Sequence, residues 1–208
     1  VRAAALAAVF FLAAAPARAE LADPVVFDAQ NAEVSLHGAA WKPASKNAAL
    51  PAGTRLRTGG KGSVVLAFGP SLERVLALAE DTHVRLQGPA GTRLEEGRLF
   101  LLADSAGTAE GPLTVRAAGT RARLVSGGCQ IDASAQGAVA RVFGGTLAVA
   151  AGEESPVEVS EGYKLRSGST APARLVYDDY QDWQPWIRKF YSAKDDIYQD
   201  RSEKDLVR

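Results

Sequence analysis

The chain has 208 residues, 47% of them apolar, with 24 basic and 24 acidic side chains that cancel to a net charge of zero. That length suits one domain with a real core, and arginines scattered among Asp and Glu offer no basic patch for nucleic acid or for an anionic membrane. One cysteine, Cys129, excludes an internal disulfide, and two distant histidines, His37 and His83, do not make a zinc centre.

The chain opens with Arg2, an apolar run from Ala3 to Ala15, Pro16, and then Ala17-Arg18-Ala19. A positive start, a short apolar stretch and an A-x-A site predict a secretory signal peptide over 1–19, cleaved after Ala19. The run is shorter than the roughly 20 residues a membrane-spanning helix needs, so no stable span is expected after cleavage. Loss of Arg2 and Arg18 leaves 22 basic against 24 acidic side chains, a net charge of −2. An exported protein, periplasmic or otherwise extracytoplasmic, is therefore expected, with residues 20–177 as its body.

From Val25 the pattern becomes strand-like: Val25 to Phe27, then Glu33 to Leu36. Residues 38–53 read as a loop, with Trp41 folded back on the body. Short strands bounded by turn glycines are predicted next. They run over Arg55 to Thr58, Ser63 to Phe68, Glu73 to Ala79, Thr82 to Leu86, Arg93 to Glu95 and Arg98 to Ala103. Gly59-Gly60, Gly62, Gly69-Pro70, Gly88-Pro89 and Glu96-Gly97 read as the intervening turns. After a softer loop over 104–111, apolar segments resume at Leu113 to Val115, Arg121 to Val125, Cys129 to Ile131, Ala138 to Phe143 and Thr146 to Val149. Gly119, Gly127-Gly128 and Gly144-Gly145 punctuate them. Val157 to Val159, Tyr163 to Arg166 and Arg174 to Tyr177 complete about a dozen short strands. The fold class predicted is all-β: a short-strand sandwich or roll, with an irregular β-solenoid as the alternative.

The chemistry changes at Asp178. Trp183, Trp186, Ile187, Phe190, Tyr191, Ile197 and Tyr198 recur at helical spacing, so residues 178–208 read as an amphipathic helix with a charged tail. Asp182 fits the N-cap and Pro185 the first turn. Docked on the β body, this aromatic stripe is core. Standing free, Trp183, Trp186, Phe190 and Tyr191 are a candidate partner surface, because tryptophan and tyrosine dominate binding hot spots.

Six ordered motifs carry a resemblance. They are Gly53-x-x-Leu56-x-Thr58, Ser63 to Phe68, Thr82-x-Val84-x-Leu86, Leu94-x-x-Gly97-x-Leu99, Val115-x-x-x-Gly119-Thr120 and Val142-x-x-Gly145-x-Leu147-x-Val149. In this order they resemble the FecR-type periplasmic domain over residues 36–166. Ala122 stands where that family usually has an aromatic residue, and a signal peptide stands where its iron-transport regulators carry a cytoplasmic anti-sigma segment and a membrane helix. The resemblance implies an exported, non-enzymatic β module that contacts other envelope proteins. Gly53, Thr58, Gly97, Gly119, Thr120 and Gly145 then read as structural motif positions, with Gly119 and Gly145 allowing positive φ or close backbone approach.

No catalytic constellation accompanies these motifs. Neither histidine neighbours a nucleophile, and His83 lies in an alternating strand on the face opposite Val84 and Leu86. Cys129 reads as a small buried hydrophobe. Asp178, Asp179 and Asp182 lack a calcium-loop pattern and read as complements to a helix N-terminus. Glu95-Glu96 and Glu153-Glu154 fall at turns. Catalytic residues, cofactors and metals are accordingly expected to be none. The partner expected is an envelope protein in sensing or assembly. The alternative is peptidoglycan or another glycan, stacked on aromatics such as Trp41, Tyr163 and Tyr177.

Overall fold

Apolar residues at every second position put one face of each extended segment toward a core, and the computed structural model shows how those faces meet. It describes residues 23–68, 74–88, 90–103, 111–152, 154–188 and 190–191. The expected signal peptide, the 104–110 loop and the tail with Ile197 and Tyr198 lie outside the described residues.

Among the described residues, twelve strands form one sheet: β1 (Val25–Ser35), β2 (Lys42–Pro43), β3 (Arg55–Phe68), β4 (Arg74–Leu78), β5 (His83–Gly88), β6 (Gly91–Ala103), β7 (Leu113–Ala117), β8 (Thr120–Ser134), β9 (Gly137–Ala151), β10 (Val157–Ser160), β11 (Tyr163–Arg166) and β12 (Ala173–Arg174). The fold is all-β, as the turn spacing predicts. Every pairing is antiparallel except β6 with β7, so the architecture is a rolled antiparallel sheet and not a solenoid of parallel coils.

The strands are longer than the glycine punctuation suggests. Residues 55–58 and 63–68, read separately as two strands, are the two halves of β3. In the same way β1, β6, β8 and β9 each join two predicted segments. Gly59 to Gly62, Glu96-Gly97, Gly127-Gly128 and Gly144-Gly145 lie inside strands, where they bend the ladder rather than end it. Each half of a bent strand then pairs with different neighbours. The N-terminal half of β6 pairs with β5 and β7, and its C-terminal half with β4 and β8. Likewise β8 meets β7 through residues 120–124 and β6 through residues 127–133. Two layers result. Layer A contains the second half of β1 with β2, the first half of β3, β5, the first halves of β6 and β8, β7, the second half of β9 and β10. Layer B contains the complementary halves with β4, β11 and β12.

A single core fills the space between the layers. Leu56, Val84, Leu94, Val115 and Leu124 from layer A meet Leu66, Leu76, Leu99, Leu101, Ile131 and Val142 from layer B, all at most 2% exposed. Burying each such leucine contributes about 1.5–3 kcal/mol.

The corners explain the glycines. Gly127 pairs with Gly145 and Gly128 with Gly144 across β8 and β9. A Cβ on Gly127 would run into the Gly144 carbonyl, and one on Gly145 into the Ser126 carbonyl. Two backbones therefore cross here closer than any side chain permits. At the other corner Thr58 and Thr82 are buried and satisfy the bent backbone. Thr58 Oγ1 donates to the Ala79 carbonyl at 2.6 Å and accepts the Thr82 amide at 2.9 Å, while Thr82 Oγ1 accepts the Arg98 amide at 3.0 Å. A Cβ on Gly97 would sit 2.6 Å from Thr82 Cα.

The predicted strand from Arg174 to Tyr177 is only partly realised. β12 stops at Arg174, and Tyr177–Tyr180 is a 3₁₀ turn. Helical residues 183–188 and 190–191 follow, here called α1.

Candidate functional site

The rolled sheet has two outer faces, and they differ in what covers them. On layer B the outward residues are apolar along one stripe: Val65, Ala77, Phe100, Leu102 and Phe143. α1 docks on this stripe. Trp183 stacks on Phe143 at 4.6 Å between ring centroids, and Trp186 stacks on Phe100 at 4.9 Å. Trp186 also stacks on Phe190 at 5.8 Å. The Trp183 ring lies over Gly128, where a Cβ would come within 2.5 Å of it. Trp183 and Phe190 are buried, Trp186 is half-buried, and Tyr191 stays exposed. Trp183 and Phe190 are thus part of the packing, and Tyr191 is the member of the stripe left facing solvent.

Charge pairs fasten the edge of the same contact. Asp179 accepts from Arg141 Nε at 2.8 Å, from Lys164 Nζ at 2.8 Å and from the Val176 amide at 2.8 Å. Asp182, immediately before α1, pairs with Arg98 at 2.6 Å, and Asp132 bridges Arg98 and Arg141. Three cations and three carboxylates alternate, and two of the carboxylates come from the C-terminal segment. Burial pushes the Asp179 carboxyl upward, but the bonds from Lys164, the Val176 amide and Arg141 outweigh it and hold the group down at about 2. Desolvation pulls Arg141 down, and its bonds to Asp179 and Asp132 raise it overall. The acidic group read as a helix-dipole complement is in fact mainly a set of counter-ions for the sheet. Asp178 stands apart and accepts from Gln181 Nε2 at 3.2 Å.

Layer A is open. Its outward side chains include Arg55, Arg57, Arg85, Arg93, Arg116, Arg121 and Arg123, six of them exposed and Arg57 half-buried. Register aligns five of these in one row across five strands: Arg55 opposite Arg85, Arg85 opposite Arg93, Arg93 opposite Arg116, and Arg116 opposite Arg121. The expectation of no basic patch is therefore corrected. The arginines lie up to 66 positions apart in the chain, so a linear scan sees each beside its own acidic neighbours, while strand pairing brings them side by side. Only the β3 end is compensated. Arg57 binds Glu33 at 2.6 Å and Arg55 lies 3.9 Å from Glu95. Trp41 presents its ring to the Arg57 guanidinium at 4.4 Å. Among the described residues, Arg85, Arg93, Arg116, Arg121 and Arg123 have no carboxylate partner.

The remaining candidates are dispersed. His83 is exposed on layer A opposite Arg57, and His37 is exposed in a turn with φ 50°. Cys129 is fully buried, and burial raises its pKa far above the usual thiol range. Glu95 and Glu96 are both exposed because the ladder shifts register at Glu96. Among the described residues no group of three or more metal-ligating side chains converges, and no helix is long and apolar enough to cross a membrane. The aromatic candidates do not share a face. Trp41 lies at the layer A edge, Tyr163 lies on β11 of layer B beneath Arg174 at 5.9 Å, and Tyr177 is 80% exposed beyond β12. Of the motif positions, Gly97 and Thr58 meet at the Thr82 corner, Gly145 lies at the β8–β9 crossing, and Gly119 turns the β7–β8 hairpin into Thr120 with φ 77°. Gly53, with φ 87°, donates its amide to the Leu86 carbonyl at 2.8 Å.

No family model matches the chain, and no curated protein matches it. Two solved structures from Parabacteroides distasonis ATCC 8503, each described as a "putative anti-sigma factor", are similar to parts of it. One aligns with a TM-score of 0.48 at 14% identity, covering 62% of this chain and 63% of that one. The other aligns with a TM-score of 0.33 at 15% identity, covering 56% of this chain and 52% of that one. In both cases the match spans less than two thirds of the solved chain's length.

Proposed function

We propose that this chain is an exported, non-enzymatic interaction module of the cell envelope, FecR-like in type, working in sensing or assembly. The observation that carries this reading is the asymmetry of the two outer faces. α1 covers layer B, with five ion pairs centred on Asp132, Asp179 and Asp182 at its edge, while among the described residues layer A presents an uncovered face of seven arginines with carboxylate partners at one end. A rigid sheet with one face open is suited to holding a partner and offers no group poised to break a bond in it. The leader-like residues 1–19 and the ordered Gly and Thr motifs support export and the FecR comparison.

The test is in-cell photo-crosslinking from layer A positions, with fractionation of the products. A specific envelope protein trapped from position 116 and not from position 166 on layer B supports the reading. Recovery of the full-length chain in the cytoplasm with no envelope product removes it. A second reading, a glycan-binding module, is favoured by one observation, the in-register arginine row beside Trp41.

A further inference from the structure

Like charges placed directly opposite one another on neighbouring strands destabilise a sheet. Layer A does this four times in succession, from Arg55 through Arg85, Arg93 and Arg116 to Arg121. Neighbouring strands lie about 4.8 Å apart, so the row runs straight across the strands for about 19 Å. Arg57 and Arg123 flank it on β3 and β8. Arginine forks two hydrogen bonds to a carboxylate and is weakly hydrated, which suits it to planar anions. Four of the five row members have no carboxylate partner among the described residues.

We infer that this arginine row is a binding site for a linear acidic polysaccharide carrying a carboxylate on successive sugars. The proposal deepens the second, glycan-binding reading above and takes from the first only the placing of the chain where such polymers occur; the row itself is a property of the folded chain.

Two features of the row favour this occupant over others. A chain of sugar acids offers a planar carboxylate on each unit for the arginine forks and sugar faces for an aromatic ring, and the row has both partners, the guanidiniums and Trp41 at its β3 end. An extended acidic peptide offers the carboxylates without the sugar faces that Trp41 can take. Single-stranded nucleic acid needs aromatic platforms for its bases, and the row has none between β5 and β8. A membrane surface calls for projecting apolar side chains, and among the described residues only Leu36 and Val125 are exposed large hydrophobics on or next to the strands of layer A. Trp41, held against Arg57 and Arg55, closes the β3 end with a flat ring on which a terminal sugar can rest.

Titration of the purified full chain with alginate oligosaccharides of defined length tests the site. Affinity is expected to rise with oligosaccharide length until the row of about 19 Å is spanned, and then to level off. Arg93→Glu with Arg116→Glu should weaken binding by at least about tenfold, since each charge-assisted pair contributes that much or more. Arg166→Glu, exposed on layer B, should leave it unchanged. Should the Glu pair fail to fold, Arg93→Gln with Arg116→Gln gives the same comparison. Equal binding by wild type and either pair overturns the site. Equal or tighter binding of polyglutamate, single-stranded DNA or phosphatidylglycerol vesicles overturns the glycan assignment. So does no detectable binding of alginate at low salt. Fractionation reports separately on export: a cytoplasmic chain that still binds alginate length-dependently removes the envelope reading and keeps the site.

Discussion

Layers A and B are built from the same long strands, bent at the same glycines, and their inner faces share one core. Their outer faces nevertheless diverge. Layer B carries aromatic and aliphatic side chains outward and hides them beneath α1, with Asp132, Asp179 and Asp182 at the edge of the contact each paired with Arg98, Arg141 or Lys164. Layer A carries arginines outward in register, and among the described residues most of them have no carboxylate partner. A face packed against its own chain is composed for stability, while like charges in register on the other face work against it.

That contrast can be broken from either side. The largest effect is expected on layer B. Trp183→Ala removes a ring stacked on Phe143 and should cost about 3–5 kcal/mol by urea denaturation, where Arg93→Ala on layer A stays within about 0.5 kcal/mol. Comparable costs at the two positions would erase the distinction between the faces. Next, Asp179→Ala strips Arg141 and Lys164 of a shared counter-ion. Since hydrogen bonds to charged groups contribute about 1.5–3 kcal/mol, a loss of about 2 kcal/mol is expected in the same assay.

This contribution has a defined pH dependence. The Asp179 carboxyl titrates at about 2 in the folded chain against an ordinary 3.8. A lowered folded-state value favours the folded state above the ordinary value and loses that benefit as the group protonates. The stability gap between wild type and Asp179→Asn should therefore be constant from neutral pH down to about 4 and close between about 4 and about 2. A gap that widens on acidification would reverse the sign and refute the pairing.

Smaller still, Gly128→Ala forces the Trp183 ring to shift and should cost about 1–2 kcal/mol, with a change in tryptophan fluorescence. A neutral result would mean that the ring does not lie on that backbone. The smallest effect carries the opposite sign. Arg93→Glu puts a carboxylate between Arg85 and Arg116 and should stabilise the fold by about 0.5 kcal/mol, an advantage that shrinks as salt screens the row. Destabilisation at low salt would show that the row is not self-repelling.

Several of these features were legible before the fold. Alternation at Val84 and Leu86, or at Leu99 and Leu101, reports the inner face directly, because side chains alternate with period two. The spacing of Trp183, Trp186 and Phe190 reports a helix with one apolar stripe. Glycine, however, carries two meanings that local sequence does not separate: at Gly119 it makes a hairpin turn, while at Gly127-Gly128 it lets one strand bend across another. Reading both as strand ends divided β3, β6, β8 and β9 in two. The arginine face was missed for a related reason. Arg55, Arg85, Arg93, Arg116 and Arg121 each follow an alternating pattern, so their outward direction was readable, but their common row was not.

By itself the sequence determined the strand-forming segments, which side of each faces inward, and the amphipathic helix at the end, because these depend on the identity of near neighbours. The tertiary structure decided which strands lie side by side, that α1 covers layer B, and that five arginines share one line. Those outcomes depend on register between segments far apart in the chain. Register is set by how bent strands close around a common core, and that is a property of the whole sheet.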